Sequence, residues 1–206
     1  MTQAALNEPW ADEERQRVAT QFGMWSFLAT ETLFFGGLFL FYAVARWTGT
    51  AGFTAGARHT DAVFGTINTV VLLTSSLTMA IGERAIVAGA IRLGKAMVAA
   101  TVLLGLAFLV VKGFEYAKDL GERLVPGADF PINARGAAQF WAFYWTATVT
   151  HAIHLTIGLG IVGRLLLIPG ETLAAKRTAA EGTALYWHLI DVVWVFLYPL
   201  LYLVGR

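Results

Sequence analysis

Long apolar runs alternate with short polar stretches along the whole chain. Five runs stand out: Phe22 to Arg46, Ala62 to Gly82, Ala96 to Tyr116, Ala138 to Arg164 and Thr183 to Val204. Each is close to the roughly 20 residues that carry a helix across a ~30 Å hydrocarbon layer. The pattern predicts an all-α, polytopic membrane protein with five transmembrane helices in a bundle. Turn and charge signals collect between the runs, in Thr48 to Asp61, Glu83 to Lys95, Lys112 to Arg135 and Pro169 to Glu181. Residues 1–21 read as a polar lead, amphipathic or disordered, and residues 22–206 as the five-helix membrane domain. The lead lacks a charged-then-apolar start. A cleavable signal peptide is therefore not expected, and the first span acts as its own insertion signal.

Composition narrows the picture further. The chain is 57% hydrophobic and 14% charged, with a mean hydropathy of +0.61, which excludes an ordinary soluble domain. A net charge of +1 gives no case for nucleic acid or for an acidic substrate. The absence of cysteine removes disulfides, thiolate metal sites and cysteine nucleophiles. No serine–histidine–acid spacing, phosphate loop or metalloprotease motif is present. Lysine and arginine divide almost evenly between the two sides. The short connection with Arg84, Arg92 and Lys95 favours a cytoplasmic N-terminus.

The chemistry on offer lies in the few polar side chains of the spans, where ionisable groups are costly and usually pair within the protein. Glu31 lies in the first run, His151 and His154 in the fourth, and His188 and Asp191 in the fifth. With the N-terminus inside, Glu31, His154 and Asp191 all lie roughly 12–15 Å from the inner edge at ~1.5 Å per residue. If their helices face one another, they form one buried polar cluster, either structural or proton-related. Glu31 has two readings, a proton-handling acid and a hydrogen-bonded structural carboxyl. His151 and His154 project the same way, so they cannot be opposed axial ligands of a single haem, although His188 could supply a second. A metal at Glu31, His154, His188 and Asp191 is a further alternative, because spacing does not distinguish ligands from a hydrogen-bond network. Asn68 needs specific partners for its amide. Glu115, beside Lys112, either reaches water or caps a polar contact. Gly36, Gly37, Gly158, Gly160 and Gly163, with the hydroxyls from Thr66 to Thr78, predict close helix packing and bonds across helices.

These stretches carry a resemblance that covers all five spans in order. The run from Phe22 to Phe35, with Glu31 inside it, resembles the first shared helix of subunit III of the haem-copper oxidases. Asn68 to Ser76 resembles the next helix, and Phe114-Glu115-Tyr116 the end of the one after. Thr150 to Gly158 is similar to the paired-histidine stretch, although the family usually has glycine where this chain has Thr150 or Ala152. Tyr186 to Tyr198, with His188 and Asp191, is the strongest match. Longer family members carry two further helices ahead of these, and the chain resembles the short bacterial five-helix form.

The resemblance implies an accessory, non-catalytic subunit of an oxidoreductase complex in aerobic electron transport. Such a subunit packs on catalytic subunit I alongside subunit II, holds phospholipid, and supports proton uptake and durability in turnover. It implies no catalytic residue, haem or copper in this chain, with haem and copper in the partner subunits. It places the chain in the bacterial cytoplasmic membrane and matches Glu31 to the family's carbodiimide-reactive glutamate. Two alternatives stand beside it. One is a subunit-III-like accessory protein of a nitric oxide reductase, and the other a small independent transporter or haem-binding membrane protein.

Overall fold

The structure is a computed structural model and describes residues 13–175 and 177–205. Seven helices follow in order: α1 (Glu13–Thr48), α2 (Thr50–Ala57), α3 (Ala62–Val87), α4 (Ile91–Gly121), α5 (Ala137–Leu167), α6 (Gly170–Ala175) and α7 (Arg177–Tyr198). A single π-helical turn, Pro199–Leu203, extends α7. Five of these helices are long and apolar enough to cross a membrane. The two short ones mark opposite ends of the bundle, here the α2 end and the α6 end.

The helices run further than hydropathy placed them. Of the expected lead, residues 1–12 lie outside the described residues, and Glu13 to Gln21 continue α1 as helix. At 36 residues α1 is about 54 Å long, well beyond the ~30 Å hydrocarbon core. Its first polar turns therefore project past the apolar layer. The Lys112 to Arg135 stretch, expected as a connection, is helical as far as Gly121.

Two devices fix the tightest pair, α3 and α4. Gly89 adopts φ +82°, Gly89 N–H donates to Ile86 O and Ala90 N–H to Ala85 O. This is a Schellman stop, which needs a residue free to adopt the left-handed region. Beyond the turn, Gly82 and Gly94 let the two backbones close. A Cβ on Gly94 would come 2.6 Å from the Ile86 side chain and 3.2 Å from Gly82 O. The hydroxyls of α3 then bond outward across helices. Thr78 meets Thr101 of α4, while Ser75 accepts from Trp187 and Thr69 from Trp194 of α7.

Helix α7 is central and α1 peripheral. Half of the apolar window of α7 is buried, against 17% for α1. Trp187, Trp194 and Leu197 of α7 are at most 1% exposed. Gly105 of α4 and Gly158 of α5 face Trp187, whereas Gly36, Gly37, Gly160 and Gly163 face no other group within 4 Å. Of the glycines expected to serve packing, Gly158 alone does so among the described residues.

At the α2 end, Gly52 and Gly56 share one face of α2 and press it on the start of α5. A Cβ on Gly52 would overlap Arg135 O, and one on Gly56 would lie 2.7 Å from the Phe140 ring. Pro199 has no N–H to give to the α7 ladder, and the helix widens into its π turn there. Side chains satisfy carbonyls of that turn: Tyr42 donates to Leu200 O and Thr60 to Leu201 O. At the α6 end, Lys95 donates to Leu166 O and Ile168 O, capping the C-terminus of α5.

Candidate functional site

The polar side chains of the spans fall into three groups around α7. The first lies where α1, α5 and α7 leave an open groove of about 600 Å³ towards the α6 end. His154 Nε2 is 2.9 Å from Glu31 Oε2, and His154 Nδ1 is 2.8 Å from Thr150 O. A neutral imidazole has one N–H. With Nδ1 protonated, it donates to Thr150 O and is left to accept at Nε2, which requires Glu31 to carry a proton. A doubly protonated ring instead donates to both. Tyr186 donates to His154 O, and its ring lies 5.7 Å from that of Phe27. Phe34 and Phe35 flank the imidazole at 6.3 and 5.2 Å. Glu31 is not sealed: 18% of its side chain is exposed, at the wall of the groove.

The second group is on the other flank of α7. Two residues along a helix is about 200° around it, so His188 points away from Tyr186. His188 Nδ1 lies 2.8 Å from Ser76 Oγ on α3 and 3.9 Å from Asp191 Oδ2. Asp191 is 3% exposed, and its carboxyl oxygens make no hydrogen bond among the described residues. Glu31 and His154 thus pair on one side of α7, and His188 and Asp191 on the other. His151 joins neither pair. It is buried between Phe108 and Trp194, at 5.6 and 5.2 Å between rings, and its nitrogens make no hydrogen bond among the described residues. Asn68 is fully buried and likewise makes no side-chain hydrogen bond among the described residues.

The third group was only glimpsed in the sequence. Lys112, Glu115 and Asp119 share one face of α4 at spacings of three and four, and all are at most 2% exposed. Glu115 therefore does not reach water; it belongs to a sealed network. Lys112 Nζ is 3.0 Å from Glu115 Oε2, 3.1 Å from Tyr144 Oη and 2.7 Å from Tyr202 Oη. Tyr144 Oη is 2.8 Å from Glu115 Oε1 and 2.7 Å from Asp119 Oδ2. Tyr202 donates to Glu115 Oε1 at 2.7 Å. The ammonium also lies over the rings of Tyr116, Tyr144, Trp194 and Tyr202 at 4.7 to 5.6 Å, a favourable place for a desolvated cation. The spacing on α4 was legible. The partners on α5 and in the C-terminal turn carried no local signal.

Outside the spans, Asp61 caps α3 by accepting from Val63 N–H at 3.0 Å, and it also takes Lys118 Nζ at 2.7 Å. The Lys118 ammonium, helped by Val63 N–H, holds the Asp61 carboxyl below its usual range. Among the described residues, no three or more histidine, cysteine, aspartate or glutamate side chains converge as a metal site requires.

Comparison with known proteins adds an independent line. Residues 12–206 match the family model described as cytochrome c oxidase subunit III. The cytochrome c oxidase subunit 3 of Corynebacterium diphtheriae is 30% identical over 99% of this chain and 100% of its own length. That of Bacillus subtilis is 31% identical over 89% of this chain and 85% of its own. The quinol oxidase subunit 3 of Bacillus spizizenii is 30% identical over 89% and 86%. These relatives are named as oxidase subunits and lend no support to the nitric oxide reductase alternative.

Proposed function

The chain belongs to the cytochrome c oxidase subunit III family, and from that premise we propose how it serves as an accessory subunit of a haem-copper oxidase. It works in a complex with oxidase subunits. It packs on catalytic subunit I beside subunit II, which hold the haem and copper, and it takes no part in electron transfer itself. It lies in the bacterial cytoplasmic membrane with its N-terminus cytoplasmic, and residues 22–206 form its membrane domain. The observation that carries this reading is the family match over residues 12–206, which spans all five long helices.

Two features support the finer assignments. Helix α1 carries a row of exposed aromatic and aliphatic side chains, among them Phe22, Trp25, Leu33, Leu40, Phe41 and Trp47. A face this apolar belongs against hydrocarbon or another subunit. The groove between α1, α5 and α7 is walled by Met24, Trp25, Phe27, Ile157 and Ile161, with Glu31 and His154 at one point of the wall. It suits the acyl chain of a phospholipid, which the subunit retains.

The contribution to turnover is chiefly protective and structural. Glu31 is engaged by His154 and stands beside an apolar groove, a poor position from which to gather protons. It acts as a structural carboxyl rather than an obligatory proton carrier. Tyr186 bonded to His154 O on one flank, and His188 beside Ser76 on the other, brace α7 between α5 and α3. The test is turnover and proton pumping of a Glu31→Gln oxidase followed over time, with a subunit-free enzyme as control. Normal initial pumping in Glu31→Gln, and faster inactivation of the subunit-free enzyme, are expected. Prompt loss of most pumping at normal assembly defeats this reading. Mass spectrometry of the complex purified in mild detergent identifies the partners and the retained lipid.

A further inference from the structure

The sealed network of Lys112, Glu115, Asp119, Tyr144 and Tyr202 can be counted proton by proton. It contains six short contacts. Each hydrogen bond needs one hydrogen. Lysine supplies three donors and each tyrosine hydroxyl one. The three contacts of Lys112 use its ammonium completely. The other three contacts are all between oxygens: Tyr202 with Glu115 at 2.7 Å, Tyr144 with Glu115 at 2.8 Å, and Tyr144 with Asp119 at 2.7 Å. The two tyrosines have only two hydrogens for these three contacts. Two bare oxygens cannot sit 2.7 Å apart in a dry interior without repelling each other, so a sixth hydrogen is required.

Its location follows from which carboxyl is better supplied with donors. Glu115 receives the Lys112 ammonium and can accept from both tyrosines, the environment of a carboxylate. Asp119 has Tyr144 as its only partner in the network and no direct contact with the ammonium. We propose that the network is a proton-holding site: Asp119 carries a carboxyl proton and donates it to Tyr144 Oη, while Glu115 holds the negative charge. Tyr144 and Tyr202 then both donate to Glu115 Oε1, and every contact has its hydrogen. The cluster as a whole is neutral, one ammonium against one carboxylate. An excess anion buried at this depth would be costly. Among the described residues, no other charged side chain makes a hydrogen bond or ion pair with the network, and Glu122, three residues beyond Asp119, acts on it only through space. From α5 the nearest titratable group towards the α6 end is His151, from α3 the close neighbour of Tyr202 is Gly65, and Asp61 is engaged by Lys118.

The test uses the intact oxidase complex. An asparagine at position 119 places an amide N–H where the carboxyl O–H stands. Asp119→Asn is therefore expected to assemble normally and to melt within about 2 °C of wild type, the scale of a change that breaks no contact. Infrared difference spectra of the two complexes at neutral pH should show one protonated-carboxyl C=O stretch in wild type that Asp119→Asn lacks. Glu115→Gln leaves Lys112 without its carboxylate, and melting should fall by roughly 10 °C, or assembly should fail. If Glu115→Gln fails to assemble, the Asp119→Asn spectrum alone decides. An unchanged protonated-carboxyl region in Asp119→Asn overturns the proposal. So does a loss of stability in Asp119→Asn as large as that of Glu115→Gln, the result expected if both carboxyls were ionised.

Discussion

Arg123 is the one non-glycine residue with positive φ among the described residues, at 57°. It occupies the left-handed position of a second Schellman stop, in which Leu124 N–H donates to Asp119 O and Arg123 N–H to Leu120 O. An L side chain there costs about 1–2 kcal/mol. Arg123→Gly should therefore raise the melting temperature of the subunit by about 2–4 °C. Gly52 makes the opposite case, because a Cβ there has no room before the Arg135 carbonyl. Gly52→Ala should lift α2 from α5 and cost about 1–3 kcal/mol, visible as a lower melting temperature with unchanged membrane insertion. At this scale the sequence was informative about which side chains matter but not about whom they meet. Glu31, His154 and Asp191 were visible as polar residues at matched depth, with His188 one turn away from Asp191. Their division into two pairs depends on the rotation of α7, and depth along an axis says nothing about angle around it. Lys112 and Glu115 were visible too, but Tyr144 and Tyr202 look like any interfacial aromatic until the helices are in place.

Among the elements, the five long helices were legible because each must satisfy its own backbone in lipid and therefore announces itself by length and apolarity. Helix α2 was not. Its eight residues, two of them glycine, have little intrinsic reason to be helical. They fold because Gly52 and Gly56 at a spacing of four give α5 a smooth face to dock against. The start of α1 was placed too late and the end of α4 too early, because these outer turns are polar and carry no apolar signal. At the start of α3, Asp61 acts as a cap. Asp61→Ala removes the cap and the Lys118 contact together and should cost about 1 kcal/mol at neutral pH. Because Lys118 holds the folded carboxyl below its unfolded value, this stabilisation is present above the unfolded pKa of about 4 and lost as the pH falls through the lower folded value. Melting of wild type and Asp61→Ala, compared from neutral pH downward, should converge in acid.

For the molecule as a whole, the charge pattern alone left the orientation nearly balanced. Discounting Lys112, sealed in its network, and Lys95, spent on carbonyls, takes one charge from each side and leaves that balance as it was. The absence of cysteine makes a direct test simple. Ala88→Cys lies in the turn at the α6 end and Ala128→Cys in the loop at the α2 end, and both positions are exposed. With a cytoplasmic N-terminus, an impermeant thiol reagent added to intact cells should label Ala128→Cys and spare Ala88→Cys. The reverse pattern would place the N-terminus outside.

The π turn at Pro199–Leu203 also has a consequence for biogenesis. These residues close the fifth spanning helix and leave the ribosome after the four before it, yet they complete contacts with the earliest ones. Leu200 O meets Tyr42, Leu201 O meets Thr60, the Tyr202 hydroxyl closes the Lys112 network, and Gly205 O receives Arg58. Until they arrive, a nascent chain with all its helices inserted still has a buried ammonium lacking one of its three acceptors and a tyrosine hydroxyl with no carbonyl to bind. Insertion and completion are thus separate events in this protein. A chain stopped short of Tyr202 should reach the membrane and then be cleared by the proteases that survey it, before any partner can bind.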